Sequence, residues 1–153
     1  MSESNYTGNI IINLASLPEF LRKPILKKRL MEFFTMSPAE KAEIVNNALA
    51  AGPTIPFDRF AKLFKTWLEV MSTVAEEQRT HMFSNYIKEI TDNPHKLVLF
   101  NLDGILEVFL TLDQVQKYHI LNSLKKVVNN LDEDRKGKLY LIVPDNAKKE
   151  LGI

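Results

Sequence analysis

The chain has 153 residues, of which 45% are hydrophobic and 25% are charged, and its formal net charge is +1. This composition is typical of a globular domain and excludes a disordered or collagen-like chain. The near-zero net charge provides no overall field to attract nucleic acid or anionic lipid, and the absence of cysteine excludes disulfides, thiolate metal sites and cysteine nucleophiles.

A repeat of 38 residues runs through the chain after a short helix that we expect around residues 9–15. Proline recurs at this interval, at Pro18, Pro56 and Pro94. Such self-similarity predicts one domain, built from three full repeats and two partial ones. Six further sets of similar side chains recur at the same offset, without insertion or deletion: Leu30, Leu68 and Leu106; Phe33, Met71 and Phe109; Thr35, Thr73 and Thr111; Lys41, Arg79 and Lys117; Ile44, Met82 and Ile120; Val45, Phe83 and Leu121. The predicted segments of the single domain, 1–153, are repeats at about 16–53, 54–91 and 92–129, and caps at 1–15 and 130–153.

Each repeat is predicted to contain two helices. The first helix begins after Ser16, Thr54 or Asp92, which are good N-cap residue types, and places its proline in the first turn, where the missing N–H costs nothing. Apolar residues then follow at helical spacing. They are Leu26, Leu30 and Phe33; Phe60, Phe64, Trp67, Leu68 and Met71; and Val98, Leu102, Ile105, Leu106 and Phe109.

The second helices begin with capping motifs. Ser37 with Glu40, and Asp113 with Gln116, have the spacing of a capping box. In the second repeat Ala75 stands at the cap position, so we expect that helix to begin further back, at Thr73. After the third repeat, residues 130–132 begin an incomplete fourth copy, and a short closing helix is expected from Pro144. Residues 138–143 fit either a helix or a strand.

A two-helix repeat of this length resembles those of the HEAT and armadillo-like α-solenoids and is longer than a tetratricopeptide unit. The resemblance covers nearly the whole chain, but it rests on capping, proline and apolar positions, which specify packing alone. It implies an all-α fold: a short right-handed α-solenoid of three two-helix repeats with partial capping repeats at both ends, and a stacked helical surface.

Polar positions on the outward face of the second helices are the predicted partner-binding surface. In a stack of repeats, equivalent positions form polar ladders, meaning rows of side chains that cross neighbouring helices. An amide is both donor and acceptor, so it can hold the backbone of an extended peptide. Armadillo-like proteins use an Asn ladder in this way, and Asn47, Asn85 and Ser123 look similar. A solvated polar face without a partner is the alternative. The candidate binding residues are Asn47, Asn85, Ser123, Gln78, Gln116, His81, His119, Lys41, Arg79 and Lys117.

Catalytic motifs are absent from the sequence, and we expect no enzyme activity, no cofactor and no metal site. The predicted function is a protein-binding or adaptor module that takes a peptide or a partner helix. The alternative is single-stranded RNA binding, with Gln78, His81 and Asn85 contacting bases, although the neutral charge balance speaks against it. The sequence leaves a homodimer open.

Two further features bear on partners and location. A basic cluster on the first helix could contact phosphates, although neighbouring acidic residues dilute it. Its members are Arg22, Lys23, Lys27, Lys28 and Arg29. The longest apolar run, residues 139–143, is far shorter than the ~20 residues of a membrane helix, and residues 1–5 are unlike a signal peptide. We therefore expect a cytoplasmic protein without membrane contact.

Overall fold

The computed structural model describes residues 3–153, with side chains from Gly8 onward. The expectation that residues 1–5 do not form a signal peptide rests on side chains that lie outside the described ones. Across the described residues the fold is all-helical, and residues 138–142 belong to a helix. A single 3₁₀ turn, Gly52–Thr54, follows the third helix. The helices are α1 (Glu3–Ser16), α2 (Glu19–Phe33), α3 (Pro38–Ala51), α4 (Phe57–Thr73), α5 (Glu76–Asp92), α6 (His95–Val98), α7 (Leu102–Leu110), α8 (Gln114–Asn129), α9 (Glu133–Ile142) and α10 (Asp145–Leu151).

Helix starts follow the 38-residue interval closely. The helices α2, α4, α6 and α9 begin at residues 19, 57, 95 and 133, while α3, α5 and α8 begin at 38, 76 and 114. The repeat prolines are not in the first turn, as the sequence predicted, but occupy the N-cap position itself. Pro18 and Pro56 have extended backbone, with ψ of 151° and 134°, so α2 and α4 begin at the residue that follows each proline.

The second helices begin as predicted in repeats one and three. Oxygens of the Ser37 and Asp113 side chains accept hydrogen bonds from the backbone N–H groups of Glu40 (3.2 Å) and Gln116 (2.7 Å). The expected start of α5 at Thr73 is wrong, because Ala75 is the N-cap residue and α5 begins at Glu76. The Gln78 side chain accepts a hydrogen bond from the Ala75 backbone N–H at 3.3 Å, which replaces part of the missing cap.

Successive helices of each kind pack side by side. In one set α2 packs on α4 and α4 on α7, and in the other α1 packs on α3, α3 on α5 and α5 on α8. The core lies between the two sets, and α4 also contacts α1 and α8. Three equivalent repeat positions, Phe33, Met71 and Phe109, are each no more than 5% exposed. Trp67 packs beside Phe64 on the partly buried edge of this core.

The first helix of the third repeat is broken into α6 and α7, which the sequence did not predict. Val98, expected in the core, is instead 57% exposed. After the break Phe100 turns inward against Phe60, with ring centroids 5.4 Å apart. Asn101 then caps α7, since its side-chain oxygen accepts a hydrogen bond from the Gly104 N–H at 3.0 Å. An N-cap asparagine stabilises a new helix start better than it continues an existing helix.

Arg22 is a structural residue and is not part of an exposed basic cluster. It is 5% exposed, and its Nη1 donates to the Leu17 carbonyl at 2.6 Å while its Nε donates to Thr66 Oγ1 at 3.0 Å. The guanidinium therefore ties α2 to α4 and caps the turn that precedes α2. Of the remaining cluster, Arg29 forms an ion pair with Glu32 at 3.3 Å.

Candidate binding surface

The predicted surface lies on α3, α5 and α8, and two of its ten residues are buried. Ser123 is fully buried and Arg79 is 4% exposed, so the prediction that they face a partner is wrong. The Arg79 Nε donates to Ser123 Oγ at 2.7 Å, and its Nη1 donates to the carbonyl of Val74 at 2.9 Å. The hydroxyl of Ser123, the third residue of the predicted Asn ladder, is thus used to join α5 to α8.

The arginine at this joint stays charged in a largely desolvated place. Burial lowers the pKa of Arg79 below its usual value, and the nearby Glu76 carboxylate opposes that shift. Nη1 also donates to the carbonyl of Met71 at 3.1 Å. A guanidinium with several such acceptors is stable when buried, whereas the loss of one acceptor leaves a charged donor unsatisfied.

Most of the candidate amides bond within their own helices. Gln78 and Gln116 complete the starts of α5 and α8, since their side chains accept hydrogen bonds from the N-cap backbone. The Asn85 amide nitrogen donates to the His81 carbonyl at 2.8 Å, one turn earlier. The Asn47 amide nitrogen is buried and has no hydrogen-bond partner among the described residues. These contacts occupy two amide oxygens and one amide N–H, and a further amide nitrogen is buried, so the amides offer a partner fewer accessible hydrogen-bonding groups than the sequence suggested.

Lys41 and His81 form a pair between α3 and α5. The Lys41 ammonium donates to His81 Nε2 at 3.0 Å and lies 5.8 Å from the centre of the Phe33 ring. Partial burial, and then the charge of Lys41, lowers the pKa of His81 below its usual 6.5. The neutral imidazole is favoured because only that form can accept the lysine's hydrogen bond.

The equivalent junction one repeat later contains a cavity of about 430 Å³. It lies between the turn that joins α4 to α5 and the facing side of α8, with Arg79 at its inner edge. Its lining includes Ser72, Val74, Glu76, Tyr118, His119 and Asn122. Of these, only His119 was among the ten residues that the sequence singled out.

The two charged side chains that line this cavity are each bonded to other groups. The Glu76 carboxylate is bonded to the Lys126 ammonium, and the Asn122 amide nitrogen lies 3.4 Å from the same oxygen. The hydrogen bond from Lys126, together with its charge, lowers the pKa of Glu76 below its usual value. The buried Arg79 donates to Ser123 and to main-chain carbonyls. The cavity is consequently polar, and its charged groups are already engaged.

The last candidate, Lys117, is half-buried on α8, and its ammonium has no hydrogen-bond or ion-pair partner among the described side chains. Among the described residues, no group of three or more His, Asp or Glu side chains is placed to hold a metal ion. Nor does any helix there have the length and apolarity to cross a bilayer. The cytoplasmic location stays a prediction.

One feature of the sequence that was not used above indicates the cavity: two equivalent repeat positions differ strongly in side-chain size. Position 34 of the first repeat is phenylalanine, and the equivalent position 72 is serine. A loss of that much side-chain volume between repeats predicts a gap. Comparison with known proteins adds nothing to this signal: no protein-family model matches the chain, and neither a curated protein nor a solved structure is significantly similar to it.

Proposed function

We propose that the chain is a non-enzymatic binding module, a short right-handed α-solenoid similar to HEAT and armadillo-like proteins, that takes a peptide or helix of a partner protein. The solenoid is supported by helix starts at 38-residue intervals in both sets of helices. It is further supported by the side-by-side packing of successive helices within each set. A stack of this kind presents equivalent positions in rows along one face.

The observation that carries the binding proposal is the pair of equivalent junctions on α3, α5 and α8. Lys41 meets His81 at one junction, while Arg79 and His119 both line the cavity at the next. The second junction leaves a polar cavity of about 430 Å³ at the surface, on preformed helices. Preformed surfaces bind extended segments at a small entropic cost to the binding module.

Peptide binding is favoured over single-stranded RNA by the charges on this face. Arg79 is buried, and the Lys41 ammonium is engaged by His81, so two of the three basic residues predicted there are occupied. Phosphate recognition depends on free cationic side chains. The face that remains is richer in imidazole, hydroxyl and amide groups than in positive charge.

Selection from a random displayed peptide library tests the proposal. The bound peptides are then measured by fluorescence anisotropy against wild type, a His81→Ala/His119→Ala double variant, and Lys28→Ala as a control on the exposed side of α2. We expect the double variant to lose roughly tenfold or more in affinity while its circular dichroism and thermal unfolding stay close to wild type. The control is expected to bind as wild type does.

Two outcomes would overturn the proposal. One is enrichment of no peptide, or of peptides that bind the double variant as tightly as wild type. The other is binding of a fluorescent single-stranded RNA whose affinity falls steeply between about 50 and 200 mM salt, because that dependence identifies phosphate contacts. Peptide binding to this face is expected to change only modestly over the same range.

A further inference from the structure

The first junction shows what this kind of site holds when it is full. Phe34 caps the C-terminus of α2, and its ring meets the Phe33 ring edge-on, with centroids 5.8 Å apart. On its other side the Phe34 ring lies 6.5 Å from the His81 ring. The space between the α2–α3 turn and α5 is therefore occupied by an aromatic side chain of the protein itself.

The second junction has a histidine at the same repeat position but lacks that ring. Ser72 stands where Phe34 does, and His119 stands where His81 does. The small Ser72 hydroxyl donates to the Glu69 carbonyl at 2.6 Å, inside its own helix, and the side chain has no ring. The cavity of about 430 Å³ opens there.

We propose that this cavity takes an aromatic side chain of a partner peptide, which occupies beside His119 the place that Phe34 occupies beside His81. The inference rests on the proposed function and names the anchor residue of the partner. The lining is mainly polar but includes Val74, Tyr118 and His119, so a ring that enters the cavity can pack on an aliphatic side chain and on two aromatic rings. Aromatic pairs are favourable at centroid distances of 4.5–7 Å.

The chemistry of the rim agrees with a peptide anchor. Glu76 is already bonded to Lys126 and Asn122, and the buried Arg79 donates to Ser123 and to main-chain carbonyls, so both charged side chains are engaged within the protein. The amide and hydroxyl groups that remain at the rim suit the backbone that flanks an anchor side chain. Aromatic side chains inserted in pockets are the usual source of binding energy in such contacts.

The experiment follows the His119 and His81 ring signals by NMR during titration with N-acetyl-phenylalanine amide, using N-acetyl-leucine amide as the matched non-aromatic probe. In wild type we expect saturable shifts at His119 with the aromatic probe, at least about tenfold weaker binding of the leucine probe, and no saturable shift at His81. A leucine probe that binds equally well would overturn the aromatic assignment, and an unshifted His119 would overturn the site.

Two variants exchange the side chains that the first and second repeats have at this position. Ser72→Phe fills the cavity as Phe34 fills the first junction, so we expect a higher melting temperature and the loss of probe binding at His119. Lys28→Phe adds the same ring to the exposed side of α2 and is expected to leave probe binding unchanged. Phe34→Ser opens the first junction, so the aromatic probe is expected to shift His81 as well.

The outcomes separate this inference from the proposed function. If Ser72→Phe bound the probe as wild type does, the cavity would not be the site. Should Ser72→Phe fail to fold, the Phe34→Ser variant still decides, because an unshifted His81 would contradict the equivalence of the two junctions. Selected peptides that lack aromatic residues and leave His119 unshifted would refute the aromatic anchor and leave peptide binding intact. If the aromatic probe bound at His119 but no peptide were selected, the proposed peptide binding would be refuted and the aromatic site would remain.

Discussion

Replacement of Ser123 by alanine tests the buried joint between α5 and α8. Ser123 is fully buried and its hydroxyl accepts a 2.7 Å hydrogen bond from Nε of Arg79, which is itself 4% exposed. The Ser123→Ala variant keeps the guanidinium in place but leaves its Nε–H without an acceptor. A buried donor that loses its partner costs about 1–3 kcal/mol, and a charged group that loses all its partners costs more. Because Nη1 of Arg79 keeps its carbonyl acceptors, we expect the loss to stay within that range.

We therefore expect Ser123→Ala to lower the free energy of unfolding by about 2 kcal/mol. In a chain of this length that corresponds to a melting temperature lower by about 4–8 °C. Urea and thermal unfolding followed by circular dichroism at 222 nm measure both quantities. The control is Ser84→Ala, which changes an exposed serine on α5 and is expected to stay within about 0.5 kcal/mol of wild type.

A double-mutant cycle isolates the interaction from the loss of the hydroxyl itself. In an Arg79→Met background no guanidinium remains to be satisfied, so Ser123→Ala is expected to cost less than about 0.5 kcal/mol. The reasoning is refuted if Ser123→Ala and Ser84→Ala unfold alike, or if the cost of Ser123→Ala is the same in both backgrounds.

Two further substitutions probe other contacts. Lys41→Met removes a neighbouring charge, so we expect an NMR titration to show the pKa of His81 rising toward its usual 6.5. Because the folded protein has the lower His81 pKa, its stability falls as the pH drops from above 6.5 through that pKa, and Lys41→Met is expected to reduce this loss. Gly52→Ala places a Cβ 2.5 Å from Cε1 of Phe100, and we expect about 1–3 kcal/mol of destabilisation in urea unfolding.

Each of these substitutions has a matched control. Lys117→Met removes a lysine at the same repeat position on α8 and is expected to leave the His81 titration unchanged; equal shifts from both lysine variants would contradict a direct contact. Gly137→Ala adds a methyl group inside α9 with nothing within 4 Å, so it is expected to stabilise by about 0.5–1 kcal/mol. A Gly52→Ala variant as stable as Gly137→Ala would show that Phe100 moves away freely.

The 38-residue interval and the starts of α3 and α8 could be predicted from the sequence because they depend on local signals that recur. The capping residues Ser37 and Asp113 bond to the turn that follows them, as their spacing predicts. The break before α7 was missed because the apolar spacing of the third repeat resembles that of an unbroken helix. Only the inward turn of Phe100, which depends on Phe60 in another helix, selects the broken form.

The candidate site was less predictable, because burial at the margin of a helix face depends on the neighbouring helix. Position 123 was assigned to the outward face together with Asn47 and Asn85. A serine there, paired with an arginine 44 residues earlier, instead forms an inward hydrogen bond. The lysine at the equivalent position of repeat one makes a different contact, with His81. Side chains at equivalent repeat positions thus lie at similar places in the fold but do not make the same contacts.

The buried arginines also bear on how the molecule deforms. Arg22 joins α2 to α4 through Thr66, whereas Arg79 joins α5 to α8 through Ser123, so one arginine ties together two helices of the first set and the other ties together two helices of the second set. Separation of either pair would leave a buried charged donor without its acceptor, which costs more than the loss of apolar contact alone. We therefore expect each of these two pairs to move as a unit when the molecule deforms.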